Sequence, residues 1–307
     1  MKRRNGWAWF AVVGLVAALL LLAGCEEEDV VGAFGSANVS ATEIETIDLV
    51  LEVPLSLVVE SSNGAVSIRG VAGIQTTSVT IRKRSRGDTL EEAQDRVSRI
   101  VVRVEQDGPE LSLIYRGSEQ EAEVRRVSGV DFDVIVPSEA RVTVETSNGA
   151  IDLAAIQGTI RLDTSNGAID VRRGEGALFA ETSNGRVEVV DFVGELRIDT
   201  SNGEVWLEDV VGLVDAETSN GSIRYSGSPA DGVANRLRTS NGSITARVPI
   251  DASIAFEARA SSGRIQSELP LVGDTEGSEW SAQLNPPAAA EMDLRTSNGS
   301  IRIEGKR

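Results

Sequence analysis

The chain has 307 residues, a formal net charge of −17, no histidine, one cysteine and only 4% aromatic residues. These numbers exclude a Ser-His-Asp triad, a Cys-His nucleophile pair, a histidine or multi-cysteine metal cluster and an internal disulfide framework. The acidic balance repels nucleic acid and anionic headgroups, and so few aromatics suit a narrow core of Ile, Val and Leu.

The first 24 residues carry Lys2, Arg3, Arg4 and no acid, so the remainder holds 27 basic against 47 acidic groups, a net −20. A basic start, an apolar run over residues 7–22 and small residues before a break mark a secretory signal. The run is slightly short for a membrane span. Leu22-Ala23-Gly24-Cys25 resembles a bacterial lipobox, which implies cleavage before Cys25 and acylation of its thiol and new amino group. The alternative is an uncleaved anchor helix with an incidental cysteine. Both readings put the body outside the cytoplasmic membrane, and two or more acyl chains would hold it there stably. Residues 25–42 are acidic, then small and polar, the composition of a flexible tether.

From residue 43 the pattern alternates with period two, running through Ser61-Ser62-Asn63-Gly64 as a worn first coil. Residues 87–117 break that rhythm. Thr89 before Leu90, acids in the first turn and apolar spacing of three to four predict a helix. Apolar runs on either side of Asp107-Gly108-Pro109 predict a hairpin. Helix and hairpin are expected to cap the open end of the fold, so that residues 43–129 form an N-terminal unit.

Residues 130–307 are dominated by Thr-Ser-Asn-Gly, whose asparagines stand 18 apart at Asn148, Asn166, Asn184, Asn202 and Asn220. Asn241 and a decayed copy at Ser262 follow after 21-residue steps, and Asn298 closes the series. Each unit reads as two short strands and two corners, one at Asn-Gly and one at Gly158, Gly176, Gly194 or Gly212. An antiparallel meander fits that alternation, because Asn-Gly is a strong hairpin signal. A parallel β-solenoid fits better: equivalent residues then stack at about 4.8 Å, which gives the identity of the copies a cause. Carrying the inward alternation of Leu196 and Ile198 forward predicts an internal ladder of Asn63 and the seven later asparagines. The expected fold is all-β, a solenoid of 18-residue coils with a helix and hairpin inserted near its N-terminal end. A proline-rich loop over residues 268–290 is expected to bulge from it.

Motifs for nucleotide binding, phosphate loops and nucleophile elbows are absent from the sequence. The acids recur with the repeat, whereas an active site should break it, so no catalytic activity and no resident cofactor are expected. Trp206 stands at an outward position where sister units carry Asp152, Asp170 and Glu188, either as a contact residue or packed under the neighbouring chain. Glu145, Asp163, Glu181, Asp199 and Glu217 precede each Thr and are expected to form one outward file of carboxylates, a candidate Ca2+ site or simply a solvated acidic face. Arg161 and Arg197, two residues before Asp163 and Asp199, are expected to relieve part of its repulsion, and the file changes sign at Arg238, Arg259 and Arg295.

The signal, the Ser-Asn-Gly start, the helix and hairpin and the Thr-Ser-Asn-Gly-x-Ile/Val coils together resemble the bacterial putative-adhesin family. That family comprises envelope proteins built from β-strand repeats of unknown function, similar in look to auto-transporter adhesin heads. The likeness covers residues 43–307. It implies a lipid-anchored protein of the bacterial cell envelope, facing periplasm or exterior, that meets the membrane through its lipid and binds a protein or glycan. It defines no catalytic or binding residues. A self-assembling structural scaffold and a polysaccharide-cleaving β-helix enzyme are the rival expectations.

Overall fold

The computed structural model describes residues 39–50 and 55–306. The signal segment, Cys25 and the tether as far as residue 38 lie outside them. The described chain is mostly β, gathered into one open sheet.

Each regular unit contributes two strand segments separated by a bend at Ser-Asn. In-register parallel pairing joins Asp163 to Glu181, Glu181 to Asp199 and Asp199 to Glu217, each step one 18-residue unit. Alternation fills the interior: Val187, Val189, Leu196 and Ile198 are buried, and the next coil repeats them with Val205, Leu207, Val214 and Ala216. Coil after coil, the same narrow apolar seam is extended by one layer.

The order of coils in space departs from their order in the chain at both ends. Residues 55–71 sit between residues 110–137 and residues 140–154, with Val66 facing both Phe132 and Ile151. At the other end the last unit is inserted between two earlier ones. Ala290–Thr296 pairs in parallel with both Ala234–Thr239 and Ile254–Ala260, and Ile301–Lys306 pairs with both Ile244–Pro249 and Ile265–Ser267.

Antiparallel strands cover these ends. Val39–Val50 pairs with Thr76–Gly87, which pairs with Ser128–Pro137, so the expected first-coil strand is an outer layer and begins before residue 43. The helix spans Leu90–Ser98; Thr89 caps it by accepting from the Glu92 N–H, and Ala93 and Val97 are buried. The hairpin pairs Arg103–Asp107 with Glu110–Tyr115. Residues 268–290 differ from the expected loop. Within them Val272–Asp274 and Glu279–Leu284 form an antiparallel pair, and the second strand docks on Ile254–Ala260. Trp280 and Leu284 pack there, which gives that segment its own apolar reason to order.

Candidate functional site

The Thr-Ser-Asn-Gly corner resolves into four separate jobs. Thr164 is buried, donating its hydroxyl to the Gly149 carbonyl one coil away at 3.1 Å and accepting from the Gly167 N–H at 3.1 Å. Thr182 and Thr200 repeat both bonds. Serine at the second place is exposed, as at Ser147 and Ser183.

The asparagines do form a ladder, but not an internal one. Each but the last donates from Nδ2 to the Oδ1 of the next, in the unbroken order Asn298, Asn241, Asn220, Asn202, Asn184, Asn166, Asn148, Asn63, at 2.7–2.9 Å. From Asn148 to Asn298 the residues are exposed, and Asn63 is half-buried. Period-two alternation ends at Thr, because the backbone bends at Ser-Asn and turns the asparagine to the outer surface.

Glycine at the fourth place serves close approach rather than an unusual backbone angle. Gly167, Gly185 and Gly203 are absent from the positive-φ glycines of the described residues, yet a Cβ on each would lie 1.7 Å from the preceding coil's carbonyl oxygen. The second corner contains the predicted left-handed glycines, with φ of +116° to +146° at Gly158, Gly176, Gly194 and Gly212. It begins three residues earlier, at the left-handed but non-glycine Ala155, Arg173, Asp191 and Asp209, of which only the two aspartates are residue types that favour that region.

Glu145, Asp163, Glu181, Asp199 and Glu217 stand in register as expected, and Glu60 extends the file below Glu145. Among the described residues none of those five makes an ion pair, no three such groups converge on a point that could hold a metal, and Arg161 and Arg197 pair with no carboxylate. Glu60 is the exception, held by Arg116 at 2.6 Å. The file then changes sign in spatial order Arg238, Arg295, Arg259. Asp293, 7% exposed, bridges Arg238 at 2.7 Å and Arg295 at 2.6 Å and neutralises part of that step.

Three surface features break the repeat. Phe179, half-buried, lies in register between Arg161 and Arg197 and shares with them a shallow groove of about 130 Å³. Trp206 is 39% exposed, with the Arg224 guanidinium 5.5 Å from its ring centroid, so it is an outward residue partly covered by the next coil. On the same face burial raises the Asp152 carboxyl above its ordinary 3.8, helped by the charge of Asp170 and opposed by Arg172.

The third feature is the largest. At the second corner, stacked outward positions read Glu139, Gln157, Glu175, Val193, Val211 and Ser228. Where that column turns apolar, a trough of about 650 Å³ opens, lined by Val193, Val211, Pro229, Ala230, Ala252 and Ala289. Val193 is 49% and Val211 48% exposed, far more than a core requires. It lies where the units lengthen and pairing slips between Glu208 and Val210. The signal for it in the sequence is the change of that column from Glu175 to Val193 and Val211.

A protein-family model described as Toastrack DUF4097 matches residues 45–304. Among solved structures, a putative adhesin from Bacteroides fragilis is similar at 11% identity, over 86% of this chain and 97% of that one, with a TM-score of 0.45. A putative adhesin from Parabacteroides distasonis is 10% identical over 86% and 97%, with a TM-score of 0.39. A putative cell adhesion protein from Clostridium sporogenes is 11% identical over 87% and 100%, with a TM-score of 0.31. No curated protein matches the chain.

Proposed function

The chain belongs to the Toastrack DUF4097 family, and on that premise we propose that it is a non-catalytic adhesion or envelope-interaction module, tethered to a bacterial membrane by acylated Cys25. In this reading each 18-residue unit is one coil of a stiff rod, residues 25–42 give it reach, and the rod presents a ligand-binding face to periplasm or exterior. One observation carries the reading: the trough at Val193 and Val211, where a column that is polar in other coils becomes apolar and exposed. A repeat spends its recurrent residues on stacking, so a local exception is where selection for binding should leave its mark. The partner is a protein or glycan that offers an apolar group to the trough, and nucleic acid is disfavoured by the net charge.

The test is retention of the full-length protein's partner from a bacterial envelope extract, comparing wild type with Val193→Glu plus Val211→Glu. Both positions are half exposed, so the fold should tolerate the change. The expected result is roughly tenfold weaker capture, the effect of about 1.4 kcal/mol. Equal capture by the variant and wild type would remove the trough from the account. The antiparallel strands over both ends favour a self-contained module over an end-to-end filament. Sedimentation over a concentration series distinguishes the two.

A further inference from the structure

The outer asparagine column contains Asn-Gly pairs, and its members are held very unequally. Succinimide formation requires the glycine backbone nitrogen to lose its proton and attack the preceding asparagine Cγ, so both groups must be free to move together. At Asn166, Asn184 and Asn202 neither is free. Each donates Nδ2 to a serine carbonyl and to an asparagine Oδ1, and each Oδ1 accepts from the next coil. The Gly167, Gly185 and Gly203 N–H groups are meanwhile donated to the buried Thr164, Thr182 and Thr200 hydroxyls at 3.1–3.2 Å.

Asn298 is the opposite case. It ends the ladder, because the next coil in space carries Ser262 where an asparagine would stand. Its Nδ2 keeps one bond, to Asn241 Oδ1 at 2.8 Å, and among the described residues its Oδ1 has no donor and the Gly299 N–H has no acceptor. Asn298 is also exposed.

We propose that Asn298 is a site of spontaneous covalent modification, deamidating in the folded protein well ahead of Asn166, Asn184 and Asn202. The Gly299 nitrogen bonds to Asn298 Cγ, the Cγ–Nδ2 bond breaks, and Nδ2 leaves as ammonia with the proton the glycine nitrogen gave up. Water then opens the five-membered imide at either carbonyl, leaving aspartate or isoaspartate. No oxidant or reductant takes part. The carboxylate left behind cannot donate to Asn241 Oδ1, so the modification strips the ladder of its last bond and loosens it from that end. The interior Thr-Gly clamp therefore has a second consequence besides stability: it shields from hydrolysis a sequence that is otherwise prone to it.

Peptide mapping by mass spectrometry tests this on the full chain, incubated at mildly alkaline pH, with the amide-to-acid mass increase followed separately at each Asn-Gly. Asn298 should convert at least about tenfold faster than Asn166, Asn184 and Asn202, given the hydrogen bonds that those three must break first. The difference should vanish in denaturant, where all four meet the same solvent. Thr164→Val should speed Asn166 selectively while Thr164→Ser does not; if Thr164→Val merely unfolds the protein, every site accelerates together and only the wild-type comparison is read. Equal native rates at Asn298 and Asn184, or a native gradient that survives denaturant, would overturn the proposal.

Discussion

Replacing Gly185 with alanine should be among the most damaging small changes this protein can suffer, although the backbone angle there would accept any residue. An added Cβ would stand 1.7 Å from the Gly167 oxygen, 2.5 Å from its carbon and 2.9 Å from Thr182 Oγ1. Contacts below 3.0 Å are essentially never seen, and the obstacle is backbone, so the coils would have to part by about 1.3 Å. That opening stretches the Asn184–Asn166 bond of 2.8 Å and the Thr182–Gly167 bond of 3.1 Å beyond usefulness. Overpacking of about 1–3 kcal/mol plus two bonds of about 0.5–1.5 kcal/mol each gives a loss of roughly 2–6 kcal/mol. Gly232→Ala is the control: its φ is +73° with nothing within 4 Å, so only backbone strain of about 1–2 kcal/mol applies. Urea unfolding followed by tryptophan fluorescence, to which Trp206 in the coil next to Gly185 contributes with Trp280, compares the two. If Gly185→Ala is no worse than Gly232→Ala, glycine is there for its angles and the close-approach argument is wrong.

Glu181→Gln should stabilise the fold at low salt, because Glu181 stands in register with both Asp163 and Asp199. Two neighbours at about 4.8 Å contribute roughly 1.7 kcal/mol of repulsion in water before salt screening. The gain should fade in molar salt, and a salt-independent shift in melting midpoint would point to another cause. Asp152 has a raised folded pKa, so the folded state holds its proton more tightly and stability falls as pH rises from about 3.8 through the raised value. Asp152→Asn should flatten that part of the pH–stability curve, and an unchanged curve would contradict the assignment. Cys25→Ser should leave the precursor uncleaved or release the protein from membranes, as fractionation and mass analysis would show. Normal processing with membrane retention would place the anchor elsewhere.

The repeat was legible because stacking forces identity: Thr, Asn and Gly recur since each bonds to, or closes against, its own copy in the next coil. Their directions were only half legible. Period two holds within a strand, so Leu196, Ile198 and Thr200 point inward as read, but it does not survive the bend that follows, and Asn202 points out. The acidic file could be read because it stays within the strand. Coil order could not, since a shared repeat says which residues are equivalent and not which coils are neighbours, and only the assembled stack shows that Thr296 lies between Thr239 and Ala260. The strands within residues 268–290 were hidden by prolines and lost period, although Trp280 and Leu284 supplied the apolar surface that fixes them. The trough was legible in part: the change from Glu175 to Val193 and Val211 stands in the sequence, whereas the left-handed turn at Ala155, Arg173, Asp191 and Asp209 that aims the column outward has no single residue type to mark it.

Parallel, in-register stacking with the last unit inserted between two earlier ones is tested most directly by cysteine pairs at the sign change. In a Cys25→Ser background, R238C with R295C and R259C with R295C place residues on adjacent paired strands, within disulfide reach. R238C with R259C places them two strands apart, at about 9.6 Å, which is out of reach. Mild oxidation should therefore cross-link the first two pairs and leave the third as free thiols. A disulfide in R238C/R259C, with none in R238C/R295C, would mean that the coils stack in chain order and that the arrangement described for the C-terminal end is wrong.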